Sequence, residues 1–172
     1  MLGDQRRTVK QRMHLLLRAL LIVVSVALSA EASGWDTYRA NEYGFSMLIP
    51  EGTQMKTKEW AGGWGGLFGE HDGITVYGVA KLGEPESAQD IENFGVKLTG
   101  IPGEAWTEID KGSGNGWKWY RTVQATQGAK LVFGGYGVGP KGSYLLILVT
   151  TPSDFKEHRA EYEKWYHSIR LY

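Results

Sequence analysis

The 172-residue chain reads as an α+β protein, a single α-β-α sandwich around one central antiparallel sheet. Three observations lead there. Short segments of period-two apolar alternation are separated by hairpin dipeptides such as Asn115-Gly116. Two segments, 85–99 and 151–169, change to a helical period. The order strand, strand, helix, several strands, helix lacks the βαβ alternation of a parallel sheet.

The chain opens on an expected signal peptide over residues 1–32. Arg6, Arg7, Lys10, Arg12 and Arg18 make a basic start, an apolar run covers 19–28, and Ala30-Glu31-Ala32 offers a small-x-small cleavage site. That run is about 10 residues long against the roughly 20 a spanning helix needs, so no permanent membrane span is expected after signal cleavage. Arg6-Arg7-Thr8-Val9-Lys10 is similar to a twin-arginine signal, but the pair lies far ahead of the apolar run, which favours the general secretory path. The expected location is periplasmic or secreted, with residues 33–172 as a single domain.

The first 32 residues hold five of the 19 Lys and Arg and two of the 19 Asp and Glu, so the remainder carries a formal charge of −3. Its basic side chains are scattered singly, which argues against nucleic acid as a partner, because phosphate binding needs clustered cations. The chain has no cysteine. A disulfide framework, a thiolate metal site and a lipid-anchored cysteine are thereby excluded, and packing must hold the fold.

The first strand is predicted at 44–49, where Phe45, Met47 and Ile49 alternate before Pro50. An extended piece over 53–60 leads into the glycine-rich stretch 62–69, predicted as a loop that leaves its aromatic residues free to project. A strand over 73–81 follows, with Ile74, Val76 and Ala80 on one face and Thr75, Tyr77, Val79 and Lys81 on the other. In the helix over 85–99, Ser87 caps the start, Asp90 suits the first turn, Gly100 closes the end, and Ile91, Phe94 or Gly95, and Leu98 form a short apolar stripe. Strands from Trp106 onward are punctuated by Asn115-Gly116, Gln127-Gly128 and Gly139-Pro140-Lys141-Gly142. The unbroken apolar run inside 143–150 fits a central strand covered on both faces. A last helix starts with Thr151 as cap, Pro152 at its first position and Asp154 in its first turn, and places Phe155, Tyr162, Trp165 and Ile169 on one face.

Catalysis has few groups to rest on, since His71, His158 and His167 are the histidines beyond residue 32. No catalytic residue and no cofactor is assigned. Ser113 sits beside a hairpin turn rather than on a strand-to-helix elbow. Gly137, Gly139 and Gly142 spell G-x-G-x-x-G, but a strand follows where a phosphate site needs a helix N-terminus, so they read as a hairpin turn. Glu70, His71 and Asp72 are adjacent, and in an extended segment only Glu70 and Asp72 share a side, which makes those two weak metal candidates. His158 and Glu161 share a helical face and are expected to be solvated. Trp117 and Trp119 alternate with Lys118 and Tyr120 and are expected on one core face. The candidate binding surface is Trp60, Trp64, Leu67 and Phe68, because exposed aromatic residues among glycines supply contact area for a partner or stacking faces for a sugar; the alternative is that these rings fold back over an end of the sheet and are buried.

The segment Asn41-Glu42-Tyr43-Gly44-Phe45-Ser46-Met47-Leu48-Ile49-Pro50 resembles the opening strand of the PsbP-like superfamily, an N-x-x-x-G-F-x-hydrophobic-x-x-P pattern. Trp165-Tyr166-His167-Ser168-Ile169-Arg170 resembles that group's terminal helix, and the element order between them agrees. The resemblance covers about residues 35–172. It implies an α-β-α sandwich that serves as a non-catalytic binding or assembly module. Members include an extrinsic photosystem II subunit, a nuclear import factor that binds a small GTPase, and many exported bacterial proteins. The export-type leader departs from the lumenal members, and the absence of cysteine departs from lipid-anchored ones. The expected function is an exported binding or assembly module of the cell envelope that recognises a protein partner. The alternatives are a metal-assisted hydrolase using Glu70, His71 and Asp72, and a glycan-binding module stacking sugars on Trp60 and Trp64.

Overall fold

A computed structural model describes residues 34–172, so the signal peptide predicted over 1–32 lies outside the described residues. The described chain opens with β1 (Trp35–Ala40), β2 (Phe45–Pro50), β3 (Lys56–Trp60), β4 (Trp64–His71) and β5 (Ile74–Leu82). Helix α1 (Ala88–Thr99) and a single 3-10 turn (Gly103–Ala105) lead to β6 (Trp106–Gly114), β7 (Trp117–Gln127), β8 (Lys130–Val138) and β9 (Gly142–Thr150). Helices α2 (Pro152–Glu157) and α3 (Arg159–Ser168) and the short strand β10 (Arg170–Leu171) complete it. No helix among the described residues is long and apolar enough to cross a membrane.

The central sheet has seven antiparallel strands in the order β3-β4-β5-β9-β8-β7-β6. The hairpin at Asn115 and Gly116 closes as its dipeptide predicts, with φ of 53° and 91°, and Asp72 and Gly73 close another with φ of 47° and 80°. Strand β9 lies in the middle, and its apolar run divides between two cores because successive side chains point to opposite faces. Leu146 and Leu148 pack with Phe45 and Met47 of β2 and with Tyr162 and Trp165 of α3. Leu145 and Ile147 pack with Ile91 and Phe94 of α1. Each of these buried side chains contributes about 1.5–3 kcal/mol of burial energy, which is what holds the three layers together.

The α+β class and the sandwich layering agree with the sequence reading, with four additions. A second sheet, β1-β2-β10, lies over the α2 and α3 side, so the predicted first strand belongs to it rather than to the central sheet. The Ser168 hydroxyl fixes that arrangement by accepting from the Leu48 N–H at 2.9 Å while donating to the Trp165 carbonyl at 2.6 Å. The last helix breaks at His158 (φ −108°, ψ 22°), with Phe155 and Tyr162 stacked 5.7 Å apart across the break. Trp117 and Trp119 fall on opposite faces, not one. Between Gly112 and Gly114 on β6, β7 advances three residues from Trp117 to Tyr120, and this bulge turns Trp117 toward the core beneath Tyr144.

The fourth addition corrects the glycine-rich stretch, which is not a loop. Only Gly62 and Gly63 turn the chain, with φ of 82° and 81°, and from Trp64 onward it is a sheet strand paired on both sides. The glycine at 66 is there for close approach: a Cβ on it would come within 2.2 Å of the Gly78 carbonyl oxygen on β5.

Candidate binding groove

Strand pairing decides where the aromatic residues of β4 point. Trp64, Gly66, Phe68 and Glu70 share one face, and Leu67 lies on the other. On the first face, cross-strand pairs place Trp60 beside Trp64 and Phe68 beside Tyr77, whose rings stack at 6.2 Å. Helix α1 crosses above, and its Phe94 ring lies flat on Trp64 at 4.3 Å and 5°. Trp60 meets the same ring edge-on at 6.3 Å.

Side-chain hydrogen bonds hold the helix along its β8 flank. Ser87 accepts from the Asp90 N–H at 3.1 Å and Gly100 turns left-handed to donate to the Val96 carbonyl, the two caps read from the sequence. On the β8 side, the Tyr136 hydroxyl donates to Glu92 at 2.7 Å and Lys130 Nζ donates to the Thr99 carbonyl at 2.8 Å. The opposite flank, carrying Asp90, Asn93 and Lys97, borders an open groove of about 630 Å³ above β3, β4 and β5. Trp60, Phe68 and Tyr77 face this groove, with Phe94 above.

Charges surround the aromatic floor. Lys58 Nζ lies 5.4 Å from the centre of the Trp60 ring, a cation–π contact. Lys81 pairs with Glu86, and the Ser87 hydroxyl donates to Asp90 at 2.6 Å. Lys58 and Lys97 have no carboxylate within ion-pairing distance among the described residues. Burial, and secondarily the Glu70 charge, raise the pKa of Tyr77 above 10.0, so its hydroxyl stays protonated and remains a donor at neutral pH.

The four residues singled out from sequence therefore separate. Trp60 and Phe68 are half-buried and face the groove. Trp64 is 5% exposed and serves as floor under Phe94, and Leu67 is 6% exposed in the opposite core. The groove also uses Tyr77, Phe94, Asn93, Lys58 and Lys97. The period-two pattern already set Tyr77 and Lys81 on one side of β5, but the meeting of that side with the helix is a long-range event that no local pattern encodes.

Glu70 is exposed on β4, Asp72 occupies the β4–β5 turn, and His71 Nε2 lies 3.3 Å from the Asp72 carboxylate. Among the described residues no three His, Asp or Glu side chains converge as a metal site would require. A separate polar cluster ties the last helices to the sheet. Asp154 accepts hydrogen bonds from the Thr150 and Tyr162 hydroxyls, and His158 lies 3.8 Å from its other oxygen.

No family model matches the sequence, and no curated protein matches it. Among solved structures, the chain is similar to the solution structure of cyanobacterial PsbP (CyanoP) from Synechocystis sp. PCC 6803. The TM-score is 0.55 at 13% identity, covering 84% of this chain and 96% of that one. The architecture is thus that of an α+β sandwich with one aromatic groove. Its fold is PsbP-like.

Proposed function

We propose that this chain is an exported, non-catalytic binding module of the cell envelope that holds a protein partner in the groove between α1 and β3–β5. The observation that carries the reading is the aromatic floor: Trp60, Phe68 and Tyr77 line one open concavity of about 630 Å³. Aromatic rings on rigid strands supply large contact area at little entropic cost, the composition of binding hot spots. The groups around them, lysines, an asparagine and a tyrosine hydroxyl held neutral, fit recognition better than bond-breaking. The leader-like residues 1–32 support placement in the periplasm or outside the cell.

The test is a pull-down from an envelope extract with the protein and with its Trp60→Ala/Phe68→Ala variant. The variant is expected to keep its far-UV circular dichroism and lose partner capture by about tenfold or more. Undiminished capture by a folded variant refutes the groove as the binding surface.

A further inference from the structure

The groove has an open side, and what forms that side narrows the occupant. Strand β3 is the outermost strand of the central sheet, and its outer edge has no strand partner among the described residues. An unpaired edge offers a row of backbone N–H and C=O groups to any extended segment laid beside it. Cross-strand pairing sets Lys56 opposite Phe68, Lys58 opposite Gly66 and Trp60 opposite Trp64, so these three of the five β3 side chains share the groove face, with Thr57 and Glu59 on the other. A segment paired with β3 would therefore turn every second side chain toward this face.

The charges there are uneven. Lys56 and Lys58 stand on the strand and Lys97 stands on the helix side of the groove. Of the acidic groups, Glu86 is tied to Lys81, Asp90 accepts from the Ser87 hydroxyl, and Glu70 stands toward the far end of β4 beside Tyr77. Pairing of β3 with a second copy of itself about Lys58 would set ammonium against ammonium, which disfavours self-association through this edge. A strand carrying carboxylates at alternate positions meets the opposite condition.

Resting on the binding role proposed above, we infer that the occupant of the groove is an extended, acidic segment of a partner protein that adds to the free edge of β3. Its backbone pairs with Lys56–Trp60, the carboxylates on its groove-facing side meet Lys58 and Lys97, and the side chains between them point to the opposite face of the sheet. The lysines thus act as a filter: they keep the edge from pairing with itself and admit a strand of opposite charge.

The experiment titrates the protein with a short capped peptide that alternates valine with aspartate, followed by NMR with amide hydrogen exchange. The expected result is binding that protects the amides of Lys56–Trp60 and weakens about tenfold or more in the Lys58→Glu/Lys97→Glu variant, since reversal replaces attraction by repulsion at two points. The same peptide with lysine for aspartate is expected not to bind. Both substitutions lie on exposed side chains, and an unchanged amide spectrum elsewhere shows that the variant folds. Binding without protection of the β3 amides, or binding unaffected by charge reversal, overturns the inference. So does tighter binding of an oligogalacturonate, which would assign the lysines to a sugar acid. Failure of the acidic peptide while Trp60-dependent capture from the envelope persists overturns the extended acidic occupant and leaves the groove's binding role standing. Failure of both removes the binding role itself.

Discussion

Trp60 and Trp64 face each other across a hairpin, yet burial gives them different work. Trp64 is sealed beneath Phe94, so Trp64→Ala removes a flat stack and leaves a cavity under α1. The expected loss of stability is about 3–5 kcal/mol. Trp60 is only half-buried, and Trp60→Ala is expected to cost less than about 2 kcal/mol. Urea denaturation of the two variants checks this, and equal stability loss would contradict the division between floor and groove wall. A second expectation concerns tyrosines. Burial pushes the hydroxyls of Tyr136 and Tyr166 from 10.0 up to about 12, with a hydrogen bond to Glu92 adding to the rise at Tyr136. Burial and Asp154 raise Tyr162 as well. In the unfolded chain Tyr136 and Tyr166 ionise near pH 10, while the folded chain keeps their protons until about 12. Stability is therefore fully present below about pH 10 and falls as pH rises toward about 12, because the folded state binds more protons in that window. Denaturation midpoints measured across this range should decline, and less steeply in Tyr136→Phe and Tyr166→Phe. A midpoint that rises above pH 10 would contradict the assignment.

The elements differ in how openly the sequence announces them. Helix α1 was legible to its caps, since Ser87, Asp90 and Gly100 act locally, and β9 was legible because eight of its nine residues are buried and residues 144–149 are apolar without a break. The hairpin dipeptides were legible for the same local reason. Strand β4 was hidden because its glycines signal turns by composition while serving close approach in the sheet. Strand β1 was hidden because of its six residues only Ala40 is buried. The bulge in β7 and the break at His158 arise from tertiary packing and leave no spacing signature. The small sheet docks where β5 has no side chain: a Cβ on Gly78 would lie 2.4 Å from Phe45 Cζ and 3.1 Å from Met47 Cε. Strand propensity alone favours Gly78→Ala. Overpacking between the sheets outweighs it, and the expected destabilisation is about 1–3 kcal/mol. A neutral or stabilising result in urea denaturation would contradict the tight docking of β2 on β5.

For the whole described molecule, the central sheet divides its labour by face. One face is closed by the small sheet with α2 and α3, whose aromatic residues pack against Leu146 and Leu148. The other is covered by α1, anchored toward β8, so that the side over β3 and β4 stays open. Half of the candidate site was visible in the sequence as aromatic residues among glycines. The rest depended on a helix from residues 88–99 coming to lie over strands at 56–82, which only the fold brings together. This open side is where we propose that the protein engages its partner. The direct measurement is site-specific photo-crosslinking in the producing cell, with a photoreactive residue at Asn93 on the groove wall or at Lys118 near the opposite edge of the sheet. A discrete adduct is expected from position 93 at a yield about tenfold above that from 118, lost when Trp60→Ala is added. Equal adducts from both positions, or an adduct at 118 alone, would contradict it.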